Sequence, residues 1–167
     1  KESRPSSGNM SNGTSQQADT NLSIPIASST TKEPPLPEKH WIGCNNCSLG
    51  YENRTRVLYK GPRPAPVLLV GEAPGKIESR LKEPFVGPSG QELNRFLALV
   101  IPGTSLAIDD FGKTNILACV PWDHDPNSRA TQRQPSKEEA EACSPRLVAV
   151  LHETQPQAII TLGKVAK

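Results

Sequence analysis

The chain has 167 residues, of which 35% are hydrophobic and 22% charged, with a net charge of +2. That length has room for one domain, and the near balance of charge excludes a strong overall electrostatic footprint. No apolar run approaches the roughly 20 residues of a membrane helix, and residues 1–38 lack the apolar core of a signal peptide, so a cytoplasmic location is expected.

Residues 1–38 are rich in Ser, Thr, Asn, Gln and Pro, a composition that predicts a disordered tail ending in an extended linker at PPLPE. One α/β domain is then expected over residues 39–167. Cys44 and Cys47 form a C-x2-C pair in a polar turn with Asn45 and Asn46. The stretch Glu52–Arg63 holds Arg54, Arg56, Lys60 and Arg63, and charge alone makes it an ordinary solvated loop. Val67–Val70 is a continuous apolar run ending at Gly71, as in a buried parallel strand. Glu72–Pro88 reads as a loop punctuated by Pro74, Gly75, Pro84, Gly87 and Pro88.

Ser89-Gly90-Gln91-Glu92 fits a capping box, and Leu93, Phe96, Leu97 and Val100 follow at helical spacing. Pro102-Gly103 ends that helix. Thr114–Cys119 predicts a second strand, and Pro121–Pro135 a long polar loop. Ser136 to Glu139 is another capping box, opening a helix to about Glu153 that Pro145 kinks or divides. Ala158, Ile159, Ile160 and Leu162 form a third strand. Alternating strands and helices predict a three-layer α/β/α sandwich with a mostly parallel central sheet. In such sheets ligands sit beyond the carboxyl ends of the strands, which gathers the GEAPG loop, Asn115–Pro121 and the turn after Leu162 on one edge.

The four cysteines of the chain are Cys44, Cys47, Cys119 and Cys143. They could be four separate buried hydrophobes, which suits Cys119 but not a pair in a polar turn. Two disulfides would need an oxidising compartment. A redox C-x2-C pair would adjoin a thioredoxin-like βαβ pattern, whereas a long coil precedes this one. A metal site fits best, and spacing does not separate zinc from an iron–sulfur cluster. GEAPG can turn tightly and aim backbone N–H groups at an anion. It lacks the Walker A lysine pattern. Glu72, an acid just past a strand, and Phe85, an aromatic in a stiff loop, add weight to this edge as a site.

The strings VLLVGEAPGKIESRLKEPFVGPSGQELNRFL, TNILACVP, EEAEACSPRL and AIITLG, with CNNCSL upstream, resemble the family 4 uracil-DNA glycosylases over residues 44–167. The resemblance implies a uracil-DNA glycosylase-like fold and an enzyme of base-excision repair. It would flip deoxyuridine out of DNA and hydrolyse the N-glycosidic bond, leaving an abasic site. The four cysteines fall where that family holds a [4Fe–4S] cluster. Phe85 matches the residue that stacks on uracil, and Asn115 the one that reads it. Glu72 would orient water or stabilise the sugar cation, Ala73 would contribute backbone, and Glu78 matches a second acid of the loop. DNA containing uracil is the implied partner, with the protein a monomer.

Several positions depart from the family pattern. Ser79 replaces Asp after Glu78, Lys82 replaces a Gly, and Val120 and Trp122 alter the Cys-Arg-Pro-Pro run. The loop between Cys119 and Cys143 is longer. The family's last motif carries a His that bonds the uracil carbonyl, and His40, His124 and His152 are not in that context, so the motif is expected beyond Lys167. Two alternatives stand beside the glycosylase: a non-catalytic iron–sulfur relative that binds DNA, and a zinc-stapled domain that binds nucleotides through GEAPG.

Overall fold

The computed structural model describes residues 37–50, 54–122, 132–164 and 166. At its centre is strand β1, Val67–Gly71, buried along its whole length. The run VLLV has no polar side chain to turn toward water, so both faces of the strand must be covered. Strands β2 (Phe111–Asn115) and β3 (Ala158–Thr161) flank it in the order β2-β1-β3, both parallel to it.

Successive residues of β1 point to opposite faces, and each face meets a helix. Helix α1 spans Lys76–Leu81, α2 Pro88–Val100 and α3 Lys137–Thr154. Leu68 and Val70 pack with Tyr59, Ala65 and Val150, joined by Leu147 and Leu151 of α3. Val67 and Leu69 pack with Phe111 and with Leu97 of α2, joined by Leu93. The expected three-layer sandwich with a parallel sheet is the observed one. No helix among the described residues is long and apolar enough to cross a membrane.

Local differences have identifiable causes. The second strand lies earlier than Thr114–Cys119. FGKTN pairs residue for residue with VLLVG, from Val67 opposite Phe111 to Gly71 opposite Asn115. The apolar residues after Asn115 are buried as a loop, held by Ile116 and Leu117 N–H groups on the Gly71 and Glu72 carbonyls at 2.8 and 3.0 Å. The segment Glu72–Pro88 is not all loop, since α1 lies within it. Helix α2 begins at Pro88 with Gly87 before it and no side-chain cap, where Ser89 was the expected cap. Proline suits the first helical position because its missing N–H would have no helical partner there.

Ser136 does cap α3. Its hydroxyl accepts from Glu139 N–H at 3.2 Å, and the Glu139 carboxylate accepts from Ser136 N–H at 2.9 Å. Pro145 does not divide this helix. Proline cannot donate to the carbonyl four residues back, and the Ser144 hydroxyl takes that place on Glu141 O at 2.8 Å. Strand β3 is an outer strand, and its Ile159 and Ile160 are 51% and 43% exposed.

The expected tail over residues 1–38 lies outside the described residues up to residue 36. Glu38 itself belongs to the fold. It opens a 3-10 helix over Glu38–Gly43 and is 2% exposed. Its carboxylate accepts from Tyr59 N–H at 2.7 Å and pairs with Arg146 and Arg63, each at 3.1 Å. Burial pushes this carboxyl up, against the pull of those three donors. Composition assigned Glu38 to the tail because a single acid after PPLP carries no burial signal.

Glu139 has the opposite balance. Hydrogen bonds from Arg133 hold its carboxyl down at about 2, helped by Ser136 N–H and Ser48. A carboxyl depressed by folding stabilises the fold above its unfolded value near 4.5 and loses that contribution as pH falls toward 2. Glu139→Gln is therefore expected to destabilise at pH 7 by about 2–3 kcal/mol. Its melting temperature should converge on the unsubstituted protein's as pH drops from 5 to about 2, followed by circular dichroism.

Candidate functional site

The carboxyl ends of β1 and β2 meet at one register pair, Gly71 opposite Asn115. Asn115 is 4% exposed. Its backbone carbonyl is held by the Arg146 guanidinium, and its carboxamide has no protein partner among the described residues. A Cβ on Gly71 would stand 2.4 Å from Asn115 Oδ1 and 2.8 Å from Phe85 Cζ. Glycine is needed there because the amide and the aromatic ring converge above the strand end.

Phe85 is held in the left-handed region, at φ 58. That conformation is uncommon for a bulky residue and costs of order 1–3 kcal/mol. Two contacts enforce it. Gly90 packs so closely that a Cβ would lie 1.9 Å from Phe85 O. The buried Glu78 carboxylate accepts from Gly75 N–H at 3.1 Å and from Gly87 N–H at 2.7 Å. One carboxylate thereby ties the GEAPG loop to the PFVG loop and fixes the ring between them.

These pieces form a cleft of about 460 Å³ lined by Ala73, Gly75, Glu78, Phe85, Asn115 and Gln132, among others. The cleft is apolar on the Phe85 side and polar at the Asn115 carboxamide, the character of a seat for a planar heteroaromatic ring. Four of the five residues expected there are brought together: Ala73, Glu78, Phe85 and Asn115. Glu72 is not among the lining residues. It is half-buried at the end of β1, and its carbonyl accepts from Leu117 N–H at 3.0 Å.

Ala73 also packs on a second feature behind the cleft. Leu49, Leu117 and Cys119 form an apolar cluster with Ala73, Cys47 and Cys143 against it. All four cysteines, Cys44, Cys47, Cys119 and Cys143, line one cavity there, and none is in a disulfide. The C-x2-C turn supplies two of them, the loop after β2 the third and α3 the fourth. Burial pushes the Cys47 thiol up and the Cys119 thiol up to about 11. No three His, Cys, Asp or Glu side chains among the described residues are grouped closely enough for a single ion. The four thiols thus share one cavity without forming a closed set of ligands for a single ion.

The model of the uracil DNA glycosylase superfamily matches residues 58–167, a span that contains β1, β2, β3, the cleft and two of the four cysteines. The chain belongs to the uracil-DNA glycosylase superfamily. Among individual proteins it is similar to the type-4 uracil-DNA glycosylase of Archaeoglobus fulgidus, at 36% identity over 75% of this chain and 57% of that protein. It is similar to those of Saccharolobus solfataricus, at 34% over 72% and 51%, and Thermotoga maritima, at 32% over 74% and 58%. The chain thus spans between about half and three-fifths of the length of the curated relatives it matches.

In this superfamily member the basic stretch before β1 is not the solvated loop that charge predicts. Glu52 lies outside the described residues. Arg56 donates to the carbonyls of Cys44 and Arg54 and, at 2.6 Å, Gly50. Arg63 pairs with Glu38 and with Glu153 at 3.0 Å and lies 4.4 Å over the Tyr59 ring. Lys60 pairs with Glu83 at 3.6 Å. His124 also falls outside the described residues. Sequence reasoning had Gly71 as a residue of tight turning and close approach, but missed the anchoring roles of Arg56 and Arg146. The signal for Gly71 was its place at the end of an apolar strand, but only the convergence of two distant side chains above it reveals the need for glycine.

Proposed function

We propose that this chain carries the base-binding part of a uracil-DNA glycosylase, hydrolysing the N-glycosidic bond of deoxyuridine in DNA to free uracil and an abasic site. The observation that carries this reading is the convergence of the Phe85 ring and the unpartnered Asn115 carboxamide over Gly71. A flipped uracil stacks on Phe85, worth about 1–3 kcal/mol, which offsets much of the few kcal/mol that flipping costs. The Asn115 carboxamide offers a donor and an acceptor side by side, matching uracil O4 and N3–H. Cytosine presents an amino donor and a ring acceptor in the reverse order, and an amide fixed in the orientation that suits uracil leaves them unpaired.

Glu72, at the strand end beside this seat, orients the attacking water or stabilises the positive charge that develops on the sugar. Ala73 contributes its backbone, and Glu78 holds the two loops that present Phe85. We further propose that Cys44, Cys47, Cys119 and Cys143 hold a [4Fe–4S] cluster. When bound, the cluster supplies a rigid cross-link between the C-x2-C turn, the loop after β2 and α3, and no redox step in base excision. The acting protein is read as a monomer on DNA containing uracil.

Incubation of the iron-loaded protein with an oligonucleotide bearing a single uracil, followed by alkaline scission, tests the activity. Strand breaks at the uracil are expected, and Glu72→Ala should slow them by about 10²–10³-fold. Absence of scission in both single- and double-stranded substrates would refute the reading.

A further inference from the structure

Among the described residues, three buried side-chain nitrogens have no hydrogen-bond partner: Trp41 Nε1, Arg56 Nε and Arg146 Nε. All three residues line the four-cysteine cavity. A buried N–H without an acceptor is costly, most of all on a charged group, so three around one cavity mark a concentrated demand for acceptors.

Both terminal nitrogens of each guanidinium are engaged elsewhere. The terminal nitrogens of Arg56 hold the carbonyls of Arg54, Cys44 and Gly50. Those of Arg146 hold the Glu38 carboxylate and Thr114 hydroxyl, each at 3.1 Å, and the carbonyls of Asn115 and Ile116. These fastenings fix each side chain and leave one inner N–H over. The four cysteine sulfurs line the same cavity as these three residues.

We propose that the Trp41, Arg56 and Arg146 N–H groups donate to the sulfurs of an anionic centre held by the four cysteines, making these three residues positioning residues for that centre. The inference rests on the cluster reading above. Hydrogen bonds to cluster sulfur favour the more negative, reduced state and so raise the reduction potential. A loosened cavity would admit water, whose own donors also raise it. Loss of a specific donor and loss of packing therefore move the potential in opposite directions.

The test uses the reconstituted protein with Trp41→Phe, which removes one N–H and keeps a ring, and Arg56→Lys, which keeps the charge and removes Nε. Iron per chain, absorbance near 400 nm and the midpoint potential are measured for each. Both variants are expected to take up the same iron as the parent. At the parent's midpoint, their ratio of reduced to oxidised cluster should fall by about tenfold, a shift of about 59 mV for a one-electron couple. Pulsed EPR of the reduced cluster should also lose an exchangeable proton coupling. Potentials unchanged or raised in both variants, with iron retained, would overturn the donor assignment alone. A parent protein that takes up one zinc or no iron would overturn the cluster reading and this inference with it.

Discussion

Asn115→Ala is expected to lower uracil excision by about 10²–10³-fold while leaving the melting temperature close to that of the unsubstituted protein. The argument begins with burial. Asn115 is 4% exposed, so a base seated against it has no water to replace a missing partner. Each unpaired polar group in such a place costs about 1–3 kcal/mol. Uracil would present both O4 and N3–H to the truncated side chain, and two such losses convert to a factor of that size. Stability should change little because the carboxamide holds no protein partner among the described residues. The β1–β2 pairing and the Arg146 contact use only the Asn115 backbone. Gly71→Ala serves as the companion. It removes no polar group, yet its Cβ would meet both Asn115 Oδ1 and Phe85 Cζ. It should lose excision to a similar degree by spreading the amide from the ring. Full excision by both variants, measured as initial rates on one substrate, would remove the seat from the account.

Arg146→Met is expected to destabilise the fold by about 3–5 kcal/mol. Arg146 is 1% exposed and reaches Glu38, Thr114, Asn115 and Ile116. Removing it leaves the Glu38 carboxylate buried with Arg63 as its remaining cation, and a buried charge stripped of its partner is the costly case. The carbonyls of Asn115 and Ile116 lose a donor at the same time. Adding Glu38→Gln should recover part of the loss, because the stranded charge is gone. Urea denaturation of the single and double variants measures this coupling. A single variant within about 0.5 kcal/mol of the parent would show that the network is not what holds α3 to the sheet.

The sheet and helices were largely legible because their signals are local. VLLVG reads as a buried strand by composition, and SKEE reads as a helix start by the chemistry of Ser136 and Glu139. The second strand was placed too late because FGKTN lacks an apolar run. Its position is set by pairing with VLLVG, a long-range fact. Helix α1 was missed because its six residues are bounded by loop breakers, and the Glu78 carboxylate that ties its start to Gly87 acts across a gap in sequence. Pro145 was misread because Ser144 supplies the donor that proline lacks.

In the candidate site, Ala73, Glu78, Phe85 and Asn115 were named from the strings around them, and the cleft gathers all four. The four cysteines were named from spacing and context, and one cavity gathers them. What the strings did not carry was the support. Glu38 looked like linker and Arg146 drew no notice because their buried ion pair joins residues about a hundred positions apart, and Arg56 looked like solvated charge because its partners are backbone carbonyls, which leave no signal in composition.

The central claim is that Phe85 and Asn115 form a uracil seat over Gly71. Crystals of the iron-loaded protein soaked in free uracil test it most directly. The ring should stack on Phe85 with the Asn115 carboxamide on O4 and N3–H, and an equal soak in cytosine should leave the cleft without a base. Uracil bound away from Phe85, or cytosine bound there equally well, would contradict the account.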